Sequence, residues 1–505
     1  MKKLKIEEWI GMFFLLAALV MLVISVRLCF ADGIWYDELY TMGLTGRSFV
    51  DLTALAARDV HPPFYYYYVK IIRMVCKTLV PGANTVVISK ICSVLPLAGL
   101  FVYAVTKVRK HFGLLCSGIF VFCLISMPNL PQYTVEIRMY TLSIFLVTAA
   151  FLHAYEIACD WETGGNGKKT DWTCLTLYGI LAAYTHYFAC VAAGMVYLYL
   201  LCLIIYKKGN KFFLKNWLIS VLVFGIAYLP WLFVAAAQVA KVKEDYWILP
   251  LTWRTFGSCV KFLMKPSFGN GIWQVMTAVL LFLLYVGLMG YTLWNNRTNP
   301  KENFFCIAGT GVLGGLVLFG FAASFLLRPI FIVRYMLPAV GCFWLSFSVF
   351  VSKTRNKKWI YIPVVCLILI VGIGDYRWFR NDETWRRERM EETEAALSEI
   401  SPEDMVITHF NHVQGVTGYY LNNKVYLWDA QPEELICNII ENKYDSLSSV
   451  EELKEWMEEG NSAWFIGSKQ ADVLEEWEQA GIHSEEKQEF MLEVYWATLY
   501  RLYLE

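Results

Sequence analysis

Eleven apolar runs, most of them about as long as a bilayer is thick, occupy the first three quarters of this 505-residue sequence. A hydrocarbon core of about 30 Å takes roughly 20 apolar residues in helical form. Only helices and closed barrels satisfy their backbone polar groups there. The runs 9–30, 84–106, 113–131, 139–158, 172–187, 188–206, 213–236, 272–294, 304–327, 331–351 and 358–374 therefore predict an α-helical polytopic membrane protein with about 11 transmembrane helices. Charged residues make up only 17% of the chain, against about 25% in a soluble domain. The basic start (Lys2, Lys3, Lys5) and the run Trp9–Phe30 resemble a signal peptide, but the run is long enough to span and has no convincing cleavage site. An uncleaved first helix is expected.

The formal charge of zero hides a division. From Asp375 onward there are 11 Lys/Arg and 29 Asp/Glu, against 33 and 15 in the rest. A basic, apolar body (1–374) joined to an acidic, polar tail (375–505) reads as two domains. The tail alternates short patterns: helical over Glu383–Ile400, Val450–Glu459 and Ala471–Gln479, and strand-like over Met405–Thr408, Val425–Trp428 and Ala463–Ile466. This predicts a small α/β domain. His409 and His412 fall at a strand–helix junction in it and read as surface residues without chemistry.

Topology follows from the positive-inside rule. With eleven spans, the clusters Lys107/Arg109/Lys110, Lys168/Lys169, Lys207/Lys208/Lys211/Lys215, Arg297/Lys301 and Lys353/Arg355/Lys357/Lys358 all fall on the side of the basic N-terminus. The alternate turns and the tail then face outward, in the cell membrane. The segment 61–80 would reverse this parity if it spanned. It carries Lys70, Arg73 and Lys77 on one helical face. Burying them would cost about 2.5–3.5 kcal/mol each on the insertion scale. It reads instead as a juxtamembrane helix inside an outer loop, 31–83. Thirteen of the 14 cysteines precede residue 375, without a CxxC pair, and read as small core residues. No nucleic-acid partner is expected.

Four polar constellations occupy the outward turns. Asp37-Glu38 follow Trp35-Tyr36 at the exit of the first span and offer a general base; taken alone, a solvated acidic loop with an interfacial aromatic anchor explains them better. Asp59-Val60-His61-Pro62-Pro63 precede the surface helix, where Asp59 suits a cap and His61 sits near a helix N-terminus suited to anions. Glu136-Ile137-Arg138-Met139-Tyr140 and Arg328-Pro329…Arg334-Tyr335 place arginines at the membrane edge. There an arginine snorkels or grips a phosphate through its planar fork. Together they form the set that a lipid-phosphate sugar donor requires: a carboxylate to take the acceptor's proton, and cations for the departing phosphate.

The strings WYDELYT, RDVHPPFYYYYVK, VEIRMYTL and FIVRYMLPA resemble, over roughly residues 1–350, the GT-C glycosyltransferases of the dolichyl-phosphate-mannose–protein mannosyltransferase and lipid A aminoarabinose transferase superfamily (glycosyltransferase family 39-like). The resemblance implies a GT-C type fold and inverting transfer of a sugar from a polyprenyl-phosphate donor to an acceptor hydroxyl outside the cytoplasm. It implies Asp37 as catalytic base, with Glu38 and Asp59 shaping the pocket. It implies Arg138 on the lipid phosphate, together with Arg334 and His61. Lys70, Glu136, Tyr140 and Tyr335 are further donor-binding candidates. Members differ in metal dependence, and Asp37 with Asp59 would be the pair to hold Mg or Mn. The acceptor is a glycan, lipid or protein. The alternative is a transporter or lipid flippase, which would carry its ionisable residues near the middle of its spans; here Lys90, the clearest charge within a run, lies near its outer end, and His153 and Glu156 approach an inner end.

Overall fold

The computed structural model describes residues 5–162, 164–206, 211–242, 248–295, 300–432 and 443–504. Lys2, Lys3, Lys207, Lys208, Arg297 and the fourteenth cysteine, Cys437, lie outside them. In chain order the helices begin with α1 (Ile6–Leu28), α2 (Tyr36–Gly46), α3 (Phe49–Arg58), α4 (Phe64–Leu79), α5 (Thr85–Tyr103), α6 (Arg109–Ser126), α7 (Tyr140–Glu162) and α8 (Lys169–Ala183). They continue with α9 (Tyr187–Tyr206), α10 (Lys211–Val242), α11 (Trp253–Met264), α12 (Gly271–Asn295), α13 (Pro300–Leu326), α14 (Leu337–Lys353) and α15 (Lys358–Leu397). The chain divides into two compact units: Met1–Cys29 with Ala56–Tyr68 and Lys90–Phe379, and Phe30–Leu55 with Val69–Ser89 and Arg380–Glu505. The expected boundary at 374/375 falls inside the single helix α15.

The first unit is a helical bundle. Among the described residues, nine helical runs are long and apolar enough to cross a membrane. The eleven expected segments correspond to these nine and two more. The run Thr85–Ser126 covers most of both 84–106 and 113–131. Gly113, at φ 84°, breaks it, a conformation that L side chains rarely adopt. The Ser117 hydroxyl donates to the Ala104 carbonyl at 2.7 Å, a contact that two residues thirteen apart in a straight helix could not make. The segment 172–187 forms α8, only 15 residues long. The segment 61–80 forms α4 and is not among the nine.

Burial sorts these helices. Every residue from Leu337 to Ser352 in α14 is buried, so this helix lies in the bundle's interior. On α10, Leu218, Leu222, Ile226, Leu229 and Phe233 are exposed at helical spacing, the pattern of a face in contact with lipid. Charge inside the bundle gathers at the end opposite the turn that precedes α7. There Glu156 meets Lys107 at 3.5 Å, Lys110 at 2.9 Å and His111 Nε2 at 2.9 Å. Asp171 meets Lys107 at 3.5 Å and His153 at 2.7 Å. Tyr103 closes the network through His153 (3.0 Å) and Tyr178 (2.9 Å), and Lys353 pairs with Glu302.

The second unit contains a six-stranded mixed sheet. Its strands are β1 (Met405–Thr408), β2 (Val425–Trp428), β3 (Tyr444–Leu447), β4 (Ala463–Gly467), β5 (Ile482–Leu492) and β6 (Tyr495–Leu504), in the order β3-β2-β1-β4-β6-β5. The first four are parallel, and β4–β6–β5 run antiparallel. Helices α16 (Asn411–Tyr420), α17 (Val450–Glu458) and α18 (Asp472–Gln479) connect them. Ile407, Phe465, Leu453, Trp428 and Trp477 form the core. Three of these strands and α17 and α18 match the expected patterns. The hairpin β5–β6 was not anticipated, because in β5 only Ile482, Phe490 and Leu492 are buried and the intervening Glu and Lys side chains obscure the strand pattern. Such charges are typical of an edge strand.

The segment 32–36 belongs to this second unit and is attached to the tail by alternate residues. Tyr419 donates to the Asp32 carbonyl at 3.4 Å. The Ile34 N–H donates to Glu493 at 2.9 Å. The Tyr36 ring stacks on His412 with centroids 4.0 Å apart. A period of two is that of extended chain, so one side of the lead-in to α2 lies against the sheet domain.

Candidate active site

In the first unit, four separate turns bring polar side chains together. Before α4, Asp59 and His61 are linked by a 3.2 Å contact from the imidazole Nδ1 to the carboxylate. Burial alone would raise the Asp59 carboxyl; the hydrogen bond and charge of His61 and the field of Arg138 outweigh it and hold the group below its ordinary range. Pro62 and Pro63 fix the entry to α4, and the Phe64 N–H donates to the Tyr184 carbonyl at 2.9 Å. This ties the turn to the end of α8. Ahead of α7, the Arg138 N–H donates to the Glu136 carbonyl at 2.8 Å. That tight reversal turns the Arg138 side chain inward, leaving it 5% exposed. Ahead of α14, a single helical turn over Val333–Met336 carries Arg334 and the buried Tyr335.

His186, in the turn between α8 and α9, lies at the centre of this group. Its ring centroid is 5.8 Å from His61, 6.1 Å from Tyr140 and 5.1 Å from Tyr335. The Phe188 N–H donates to its Nδ1 at 3.1 Å, which fixes that nitrogen as the acceptor and leaves Nε2 to carry the proton. Burial, and then the positive fields of His61, Arg138 and Arg334, hold its pKa well below the ordinary imidazole value, so the ring is neutral at pH 7. The Tyr140 hydroxyl, within electrostatic reach of Arg334 and Arg138, is buried and has no hydrogen-bond partner among the described residues. Leaving such a group unsatisfied costs about 1–3 kcal/mol, and a bound oxyanion would supply the missing partner.

His186 was not singled out from the sequence. It lies within the apolar segment 172–187, directly before the next run, and reads as the end of a span. The available signal was its position in Tyr184-Thr185-His186-Tyr187: eleven-span parity places this junction on the same side as the two arginine turns.

The structure thus groups Asp59, His61, Glu136, Arg138, Tyr140, Arg334 and Tyr335 in one unit. Asp37, Glu38 and Lys70 belong to the other. Asp37 and Glu38 occupy the second and third positions of α2, where the helix dipole favours carboxylates. Glu38 accepts the Trp35 N–H at 3.3 Å, so it caps its own helix. The Lys70 ammonium donates to the Arg47 and Thr45 carbonyls, and Arg73 to Met42 and Thr45. These contacts satisfy the C-terminal carbonyls of α2 and account for Lys70 without a ligand. Among the described residues, no three His, Cys, Asp or Glu side chains converge as metal ligands. Asp59 is engaged with His61 through one carboxylate oxygen, and Asp37 belongs to the other unit.

A bundle of long apolar helices, a small mixed-sheet domain and a cluster of arginine and histidine side chains in the first unit define a polytopic membrane-protein fold. ArnT from Cupriavidus metallidurans in the apo state is similar at TM-score 0.59 with 10% identity, over 97% of this chain and 97% of that one. ArnT bound to undecaprenyl phosphate gives TM-score 0.58 and 12% identity, over 98% of each chain. No family model and no curated protein matches the sequence. The fold is ArnT-like over its whole length, at identities where only the fold is shared.

Proposed function

We propose that this chain is a membrane glycosyltransferase that moves a sugar from a polyprenyl-phosphate donor to an acceptor hydroxyl on the extracytoplasmic face, with inversion. The observation that carries this reading is the burial of neutral His186 against His61, Arg138 and Arg334, in a fold whose ArnT relative is seen with undecaprenyl phosphate. Three cationic or cation-capable groups around a desolvated ring form a cluster electrostatically suited to an anion.

The chemistry uses that field. The acceptor oxygen attacks the anomeric carbon, its proton passes to Asp37, and the bond from that carbon to the phosphate oxygen breaks. The phosphodiester leaves as a monoester and gains one negative charge. Arg138 and Arg334 therefore bind the leaving group more strongly than the intact donor, which is the differential stabilisation that lowers a barrier. His186 Nε2–H and the Tyr140 hydroxyl donate to phosphate oxygens. Asp59 orients His61, while Glu136 and Tyr335 support the arginine turns. The basic inter-span loops and the N-terminus face the cytoplasm, and the acidic tail faces outward.

The test is incubation of the purified full-length chain, in lipid nanodiscs, with a panel of polyprenyl-phosphate sugars and candidate glycan, lipid and peptide acceptors, followed by mass analysis. Sugar transfer by the wild type that Asp37→Asn abolishes, with lipid-phosphate binding retained, is the expected result. Transfer that survives Asp37→Asn, or lipid movement across the bilayer without transfer, refutes the reading.

A further inference from the structure

The acidic turn at Asp37 is embedded in the tail domain, and the contacts are chemically specific. His412, near the N-terminus of α16, stacks on Tyr36 at 4.0 Å with an interplanar angle of 24°. Its Nδ1 lies 3.1 Å from the Tyr495 hydroxyl at the start of β6. The Tyr495 phenol is in turn within the field of the Asp37 carboxylate: burial first, and then that negative charge, keep the phenol protonated far above its usual range. Gly415, one turn along α16 from His412, lies against the same ring. A Cβ there would stand 3.0 Å from Tyr36, so a larger residue would push the ring or α16 back by a few tenths of an ångström.

A small sheet domain has no need, for its own folding, of a histidine ring in flat contact with the residue before a carboxylate. Nor does it need a protonated phenol within that carboxylate's field. Sheet packing alone is provided by the apolar core around Phe465 and Trp477. Tyr36, His412, Tyr495 and Asp37 instead form a connected group.

We infer that His412 and Tyr495 are positioning residues for the base: the stack on Tyr36 and the His412–Tyr495 hydrogen bond hold Asp37 in the orientation that receives the acceptor's proton. This rests on the proposed role of Asp37. The His412 Nδ1–H tautomer donates to the phenol oxygen, which frees the phenol's own proton to face the carboxylate. The tail domain is thereby part of the catalytic apparatus, although it holds neither base nor phosphate ligand. A misplacement of about 1 Å in a reacting group costs on the order of 100-fold in rate, which is what this arrangement guards against.

The experiment compares Tyr495→Phe, His412→Phe, His412→Ala and His412→Asn with wild type and Asp37→Asn, in the full chain with a donor the wild type turns over. Tyr495→Phe removes one oxygen and keeps the fold. His412→Phe keeps the stack and loses the nitrogen. A fall in kcat of about 10- to 100-fold, with unchanged donor KM and lipid-phosphate binding, is expected for both. His412→Asn, which keeps a polar atom near the Nδ1 position, is expected to be faster than His412→Ala. Wild-type kcat in both phenylalanine variants while Asp37→Asn is inactive overturns the tail's role alone. Normal turnover by Asp37→Asn overturns the parent reading instead. A fall in donor binding equal to the fall in kcat also overturns the inference, because a positioned base acts only after the donor is bound.

Discussion

The two ends of the membrane bundle treat buried charge in opposite ways. At the end carrying Glu156 and Asp171, cations and carboxylates meet one another: Lys107 lies between two acids, Lys110 and His111 hold Glu156, and His153 holds Asp171. At the other end, about 24 Å away along α7 by the rise from Tyr140 to Glu156, three positive groups converge on His186. The first arrangement is electrostatically closed and locks α5, α6, α7 and α8 together. The second accumulates positive potential around a buried neutral ring and a phenol that has no hydrogen-bond partner among the described residues, the arrangement on which the proposed anion site rests. Burial of charge alone therefore does not mark an active site; the sign and balance of the surrounding field do.

This contrast makes distinct demands on variants at the two ends. Arg138→Ala is expected to lower kcat/KM at limiting donor by about 10³-fold with little change in melting temperature, read from steady-state kinetics beside differential scanning fluorimetry. Loss of the fold instead would show that Arg138 is structural. Glu156→Ala leaves His111 and Lys110 without their acid and Lys107 with Asp171 alone, and is expected to cost about 3 kcal/mol of stability, with turnover per folded molecule unchanged. A fall in transfer without destabilisation would erase the distinction between the ends.

A pH experiment separates them further. His186 has a folded pKa well below its ordinary value of 6.5, so below pH 6.5 the unfolded chain binds a proton that the folded chain refuses. Stability should therefore fall as pH drops from about 6.5 toward the folded pKa, by up to about 1.4 kcal/mol per unit. His186→Gln should flatten that slope, and undecaprenyl phosphate should reduce it in the wild type. An unchanged slope in the variant would show that His186 is not the group responsible. The mildest effect belongs to Lys110, whose side chain is 59% exposed. Lys110→Ala should cost less than about 1 kcal/mol despite its short contact with Glu156; a larger loss in thermal unfolding would mean that the network's rim matters as much as its interior.

The residues most readily found from sequence were those whose chemistry conflicts with lipid. Arginines 138 and 334 interrupt apolar runs, and Asp59-His61-Pro62-Pro63 stand out because two prolines and two ionisable groups seldom share a membrane edge without cause. His186 escaped because one imidazole within an apolar run is compatible with an ordinary span. For Lys70 the place on the cationic face of α4 was visible, but the carbonyls that receive it at the end of α2 lie 23 and 25 residues away in the chain. His412 was passed over because nothing local ties it to Tyr36, hundreds of residues earlier.

Hydrophobic run length, charge asymmetry and turn chemistry are local properties, and they determined by themselves that this chain is a helical membrane protein with a small mixed α/β tail. They also picked out the polar turns on which the proposed phosphate site rests. What only the tertiary structure decided is which distant groups share one electrostatic environment: His186 with Arg138 and Arg334, and His412 and Tyr495 with Asp37. Coulomb and hydrogen-bond energies depend on separation in space, and a sequence records separation only along the chain.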